Sequence, residues 1–387
     1  MTGGRPLIRS VRASVHGAID PSALRAEGVD PAAVVDFSSN QSPLGAAPGV
    51  ARAVAGAVVD AYPDPHAAAL AAALAARHAV GPEQVVCGNG STELIRLVAQ
   101  LALEPGDVAL ALAPVFGECE VATALAGARL ERVSLTHAGA GAGFFCDEPA
   151  LRDALARLDP RLCWLCSPNN PTGAALEPAL TAALVADHPQ TLFVLDEAYS
   201  DLLPEPQWER RSLEAGNLVV LHSMTKYWGL AGLRLGHAVA APALAARLRA
   251  AAPPWSVNAC AQQAGLAALA DLEHHRRTVA KSRQIGMRIG DRLVAEQIEI
   301  PLVTGISRVR PVTGTVRHGC SVAQRTIAAC TVTTASRSGA STARRSTRSQ
   351  HCSQTGESPP TRSISTSSPT IPTRGSTPSS SRSTEGE

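Results

Sequence analysis

Between residues 31 and 270 the chain alternates short apolar runs of strand length with Ala- and Leu-rich stretches of helical period, which leaves few folds open to it. Strands joined by helical crossovers build a parallel sheet with helices on both faces, so each strand is buried on both sides and reads as a continuous apolar run. Runs of this kind occur at residues 84–87, 108–111, 162–166, 191–195, 218–221 and 237–240, each without internal Pro. Helices are predicted over residues 65–78, opened by the Pro63-Asp64-Pro65 breaker, and over 91–103, with Ser91 as N-cap and Glu93 in the first turn. The expected class is α/β, with a mostly parallel, doubly wound sheet whose ligands bind at the carboxyl ends of the strands.

The 387 residues leave room for more than one domain, and they divide by composition. Residues 1–30 read as an N-terminal arm, 31–240 as a large domain and 241–300 as the start of a smaller second one. Residues 301–356 contain no Asp or Glu, and from 301 to the end there is no Phe, Tyr, Trp or Lys. Such a Ser/Thr/Arg-rich segment buries too little apolar surface to offset its ordering entropy, so residues 301–387 are expected to be a disordered tail. Either this is a natural flexible tail, or it is a shifted reading frame that leaves the second domain incomplete or aberrant. The net charge of +2 gives no global field of the kind nucleic-acid binders carry, and a small-molecule partner is the default. The N-terminus has no apolar signal region and no charge-free apolar run of membrane length follows, which predicts no membrane partner and a cytoplasmic location. Nine cysteines without paired CxxC motifs predict buried thiols in a reducing compartment, with the single Cys163–Cys166 spacing open to metal or redox use. No metal ligands are assigned.

Four clusters carry chemistry. Gly88-Asn89-Gly90-Ser91-Thr92-Glu93 follows a predicted strand and opens a predicted helix, so its glycines allow close approach of an anion to the free N–H groups of the first turn. Alone it reads equally well as a Gly-rich turn with a Ser cap. Ser167-Pro168-Asn169-Asn170-Pro171-Thr172-Gly173 forms a rigid loop at a strand end, where Asn170 can donate a side-chain N–H. Val194-Leu195-Asp196-Glu197-Ala198-Tyr199 ends an apolar strand in acid, and a half-buried carboxylate needs a cationic partner. A protonated pyridine nitrogen would supply one, with Tyr199 in reach of the ring's phenolic oxygen; the GxxxxGK[ST] loop that a Mg-binding alternative requires is missing. In Leu221-His222-Ser223-Met224-Thr225-Lys226, with Gly232-Leu233-Arg234-Leu235-Gly236 following, burial would push the lysine toward a nucleophilic amine. Ser223 and Arg234 suit a phosphate.

Asn-Asn-Pro-Thr-Gly, Asp-Glu-Ala-Tyr, Ser-Met-Thr-Lys and Gly-Leu-Arg-Leu-Gly, in this order, resemble the class I/II pyridoxal-phosphate (PLP) aminotransferases of fold type I. His16-Gly17, Asp36-Phe37-Ser38-Ser39-Asn40-Gln41-Ser42-Pro43-Leu44-Gly45, Tyr62-Pro63-Asp64-Pro65 and Pro253-Pro254-Trp255-Ser256-Val257-Asn258 narrow the resemblance to the histidinol-phosphate aminotransferase and threonine-phosphate decarboxylase branch. The resemblance implies that Lys226 carries pyridoxal 5′-phosphate as a Schiff base, that Asp196 pairs with the ring nitrogen, and that Asn170 and Tyr199 bond the ring oxygen. It further implies Gly90, Ser91, Thr92, Ser223 and Arg234 around the phosphate, Phe116 against the ring, Asn40 and His16 toward substrate, and Tyr62 reaching the neighbouring subunit of a homodimer. The expected activity is transamination of a small amino substrate, phosphorylated ones included. The alternatives are a threonine-phosphate decarboxylase-like lyase of cobalamin biosynthesis and a catalytically impaired protein of the same fold. The sequence departs from the branch at Ser42 and Ala18, and no arginine of the tail aligns with the one that clamps the substrate carboxylate in the family's small domain.

Overall fold

A computed structural model describes residues 11–14, 17, 19–34, 36, 38–137, 143–204, 208–295, 298–299 and 310–311. Its strands include β1 (Val85–Asn89), β2 (Val108–Ala113), β3 (Arg129–Ser134), β6 (Leu162–Cys166), β7 (Leu192–Asp196), β8 (Leu218–Ser223) and β9 (Leu235–Ala240), with β4 (Thr136–His137) and β5 (Phe144–Phe145) pairing as a separate ribbon. The seven long strands form one sheet in the order β1-β9-β8-β7-β6-β2-β3. Strands β3, β2, β6, β7 and β8 run parallel, as the crossover pattern predicts. Strand β9 is the exception, because it runs antiparallel to both β8 and β1. Only residues 224–234 join β8 to β9, with no α-helical crossover among them, and a short connection of that kind returns the chain antiparallel. Strand β3 escapes the apolar-run signal: it is the sheet edge, and Arg129, Glu131 and Arg132 lie along it.

Alternate side chains of the inner strands feed two cores. Leu110, Leu112, Leu165, Leu195 and Val220 face one; Ala109, Ala111, Trp164, Val194 and Val219 face the other. Both faces are covered by helices, which is why these strands read as unbroken apolar runs. Trp164, 1 % exposed, is among the largest fully buried side chains. Its indole N–H donates to Thr123 Oγ1 at 3.0 Å, and that hydroxyl donates to the Cys119 carbonyl at 2.8 Å. The helix expected from residue 65 spans Ala68–His78, with the Asp64 carboxylate accepting the N–H groups of His66 and Ala68 ahead of it. The helix expected to start with Ser91 as its cap spans Gly90–Ala102 instead; Asn89 precedes it, Ser91 lies in its first turn, and Glu93 reaches back to the Asn89 N–H at 2.7 Å. No described helix is long and apolar enough to cross a membrane. The Pro242–Ala251 helix and the Ala259–Ala270 helix follow β9, while the expected tail at 301–387 lies outside the described residues apart from two.

Replacing Thr123 with Val keeps the shape of the side chain and leaves the buried indole N–H without an acceptor. We expect Thr123→Val to lower the unfolding free energy by about 1–3 kcal/mol, measured by urea denaturation.

Candidate active site

The sheet register gathers the motifs at one edge. Cys166 pairs with Asp196 and Asp196 with Leu221, so the carboxyl ends of β6, β7 and β8 finish together. Antiparallel β9 begins beside that edge, with Gly236 opposite Ser223 on one side and Gly88 on the other. The approach is close. A Cβ on Gly236 would stand 2.5 Å from the backbone N of Ser91, and one on Gly90 would stand 2.8 Å from Nη2 of Arg234. Gly90 has φ +74°, a conformation that glycine adopts without strain. The Arg234 guanidinium therefore sits at the start of the Gly90–Ala102 helix, where free N–H groups and the positive end of the helix dipole favour an anion. Ser223 and Thr225, both buried, share a 2.7 Å hydrogen bond between their hydroxyls at the end of β8.

Asp196 ends β7 with 5 % of its surface exposed. Burial pushes its carboxyl up to about 6, against the Ala198 N–H donated to Oδ1 at 3.0 Å and the attraction of Lys226. Lys226 follows β8 by three residues, and its Nζ lies 5.6 Å from the centre of the Tyr199 ring. Its pKa is shifted below the ordinary lysine value, chiefly by burial; Asp196 opposes that shift and Arg234 adds to it. Acid, amine and guanidinium thus share one electrostatic neighbourhood. Tyr199 is buried, and its hydroxyl accepts a 2.8 Å hydrogen bond from Asn40 Nδ2, which ties the loop around residue 40 to this cluster. The side-chain Oδ1 of Asn40 is buried without a partner among the described residues.

The other expected residues are placed as follows. Ser91 and Thr92 are half-buried in the first helical turn, and Phe116 is half-buried just ahead of the Gly117–Ala126 helix. Asn170 is half-buried in its turn, whereas Asn169 is the residue that holds the loop: its Nδ2 donates to the Pro114 carbonyl at 2.7 Å and its Oδ1 accepts from the Thr172 hydroxyl at 2.8 Å. Nothing in the Asn-Asn spacing distinguishes these two roles. Tyr62 is 80 % exposed and stacks on Trp255 with ring centres 4.4 Å apart. His16 lies outside the described residues. Cys163 and Cys166 are buried free thiols in β6, both pushed up by burial; residues three apart on a strand face opposite sides, so the pair cannot chelate.

A cofactor with a cationic ring nitrogen and a phosphate fits this cluster. The buried, charge-starved Asp196 carboxylate has acceptor capacity for a cationic N–H, and the Gly90 turn with Arg234 and Ser223 has the donors for a phosphate. The aminotransferase class I and II family matches residues 32–316. The histidinol-phosphate aminotransferase of Symbiobacterium thermophilum is 42 % identical over 200 residues, 51 % of this chain and 53 % of that protein, so the chain spans about half the length of that relative. The histidinol-phosphate aminotransferase of Moorella thermoacetica is 34 % identical over 299 residues, 76 % of this chain and 74 % of that protein. In three dimensions the fold matches that of histidinol-phosphate aminotransferase from Sinorhizobium meliloti in complex with pyridoxal-5′-phosphate, with a TM-score of 0.65 at 23 % identity over 86 % of this chain and 97 % of the other. The sheet agrees with these likenesses, and the chain belongs to the aminotransferase class I and II family, with pyridoxal 5′-phosphate as its cofactor.

Proposed function

We propose that this protein is a histidinol-phosphate aminotransferase-type enzyme that moves the amino group of a small phosphorylated amine to an oxo-acid acceptor, with Lys226 as the residue that holds the cofactor covalently. The observation that carries the proposal is the placement of the Lys226 amine, largely buried and in the combined field of Asp196 and Arg234. The names of the relatives support the substrate class. In this assignment Asp196 faces the cofactor's ring nitrogen, Asn170 and Tyr199 its ring oxygen, and Phe116 its ring face. Gly90, Ser91, Thr92, Ser223 and Arg234 surround its phosphate. Asn40, whose side-chain Oδ1 has no partner among the described residues, is assigned to the substrate, as is His16. Tyr62, projecting into solvent from its stack on Trp255, serves the site of a second copy in a homodimer.

Bound pyridoxal phosphate supplies an electron sink for the charge left when a proton departs the substrate Cα. Everything else falls to the chain. The Lys226 amine would stand as the base for that proton, and the burial that lowers its pKa keeps more of it in the neutral, proton-accepting form. Asp196 would hold the ring nitrogen protonated. Tyr199, fixed by Asn40, orients the ring oxygen and links cofactor geometry to the substrate side of the pocket.

Borohydride treatment of the wild-type protein with pyridoxal phosphate is expected to fix the label to Lys226, and Lys226→Ala to take no label and to lose at least about 10²–10⁴-fold in kcat. With histidinol phosphate as donor, turnover should require an oxo acid; a wild type that takes no label sinks the proposal, and acceptor-independent release of CO2 from a phosphorylated amino acid redirects it to a decarboxylase.

The shift at Asp196 predicts a pH signature in the cofactor-free protein. Because the folded carboxyl titrates at about 6 rather than near 3.8, the stability it contributes is present below pH 4 and lost as pH rises through 6. Asp196→Asn should therefore match the wild type near pH 4 and exceed it by about 2–3 kcal/mol at pH 7.5 in urea unfolding without cofactor. The same variant should bind pyridoxal phosphate more weakly.

A further inference from the structure

Behind the site, three histidines from three elements meet in the interior. His222 on β8 and His237 on β9 are directly paired across the sheet, and His78 ends the Ala68–His78 helix that lies over them. The Nε2 atoms of His78 and His237 are 2.8 Å apart, and one nitrogen from each of the three rings lies within 4.8 Å of the other two. Nε2 of His222 and Nδ1 of His237 are buried with no hydrogen-bond partner among the described residues. A packed trio of neutral imidazoles leaves those two nitrogens unsatisfied. A cation would use a lone pair that hydrogen bonding leaves idle.

We propose that His78, His222 and His237 form a site for a divalent transition metal of the zinc class, distinct from the cofactor site. Zinc binds imidazole nitrogen at about 2.0–2.1 Å, and a tetrahedron with such bonds sets its ligand nitrogens about 3.3 Å apart. The separations in the trio bracket that value, and binding requires the rings to turn out of their stack. The surroundings match a metal. Glu197, 2 % exposed, places Oε2 3.7 Å from Nδ1 of His222, an anionic neighbour on the side of the ring away from Nε2. A cavity of about 520 Å³ has His78, His222 and His237 among its lining residues. An ion there would pin β8 and β9 to the helix end a few residues from Ser223 and Lys226. Three imidazoles with no thiolate suit zinc, copper or nickel over calcium or magnesium.

The test uses untagged holoprotein freed of metal with a chelator and titrated with Zn2+ against a chromophoric competitor, with Co2+ as a spectroscopic probe. The expected result is one tight equivalent per chain, tetrahedral cobalt bands, and a raised Tm with Zn2+. His78→Gln and His237→Phe should each weaken binding at least about 100-fold, the upper end of what loss of a supporting residue alone produces. Both should abolish the Tm rise while retaining the cofactor's absorbance. His78 ends a helix outside the sheet, so His78→Gln decides the matter if the β9 variant does not fold. Absence of a saturable equivalent in the wild type, equal affinity in wild type and His78→Gln, or an octahedral cobalt spectrum overturns the proposal.

Discussion

A carboxylate at the end of an apolar strand, buried on every side, is the arrangement on which the rest of this site depends. Among the described residues Asp196 gains one short-range backbone hydrogen bond and the field of a nearby amine, which do not offset its burial, and its pKa rises. Burial without full compensation is unfavourable for the empty fold and favourable for recognition, because a ligand that brings a cation to that position recovers the missing interaction. Lys226 has the complementary predicament. Desolvation makes its neutral form easier to reach, which is the form a nucleophile or a base must take.

Placing these groups together requires the sheet to break its own rule. Were the chain to continue past β8 through another helical crossover, Arg234 would be carried away from the start of the Gly90–Ala102 helix. The short return into antiparallel β9 brings Gly236 against the Ser91 backbone with no space for a side chain, and Arg234 against Gly90, whose positive φ suits glycine. The glycines of Gly-Asn-Gly and of Gly-Leu-Arg-Leu-Gly are thus two halves of one contact. The His222–His237 pair is a by-product of the same register, since residues directly opposite on β8 and β9 must share a face.

The fold class and nearly all the strands were legible in the chain because burial on two faces leaves an unmistakable apolar run. Strand β3 was not, since an edge strand with Arg129, Glu131 and Arg132 needs no such run. The start of the Gly90–Ala102 helix was displaced by one residue because Gly90 itself, with its positive φ, can open the helix and dispense with a Ser cap. The choice between Asn169 and Asn170 as the residue that locks the loop depends on where the Pro114 carbonyl lies, which sequence spacing does not encode.

What the chain determined by itself was local chemistry: which strand ends in acid, which loop carries the amine, which turn must be glycine, and their order along an α/β scaffold. These follow from residue types and short spacings, because backbone conformation and burial pattern are decided within a few residues. What only the tertiary structure decided was long-range: that β9 runs backward, that Asn40 reaches Tyr199 across 159 positions, and that His78 closes on His237 over the same separation. Such contacts are set by sheet register and helix packing, in which every element constrains every other, and no window of the sequence contains them.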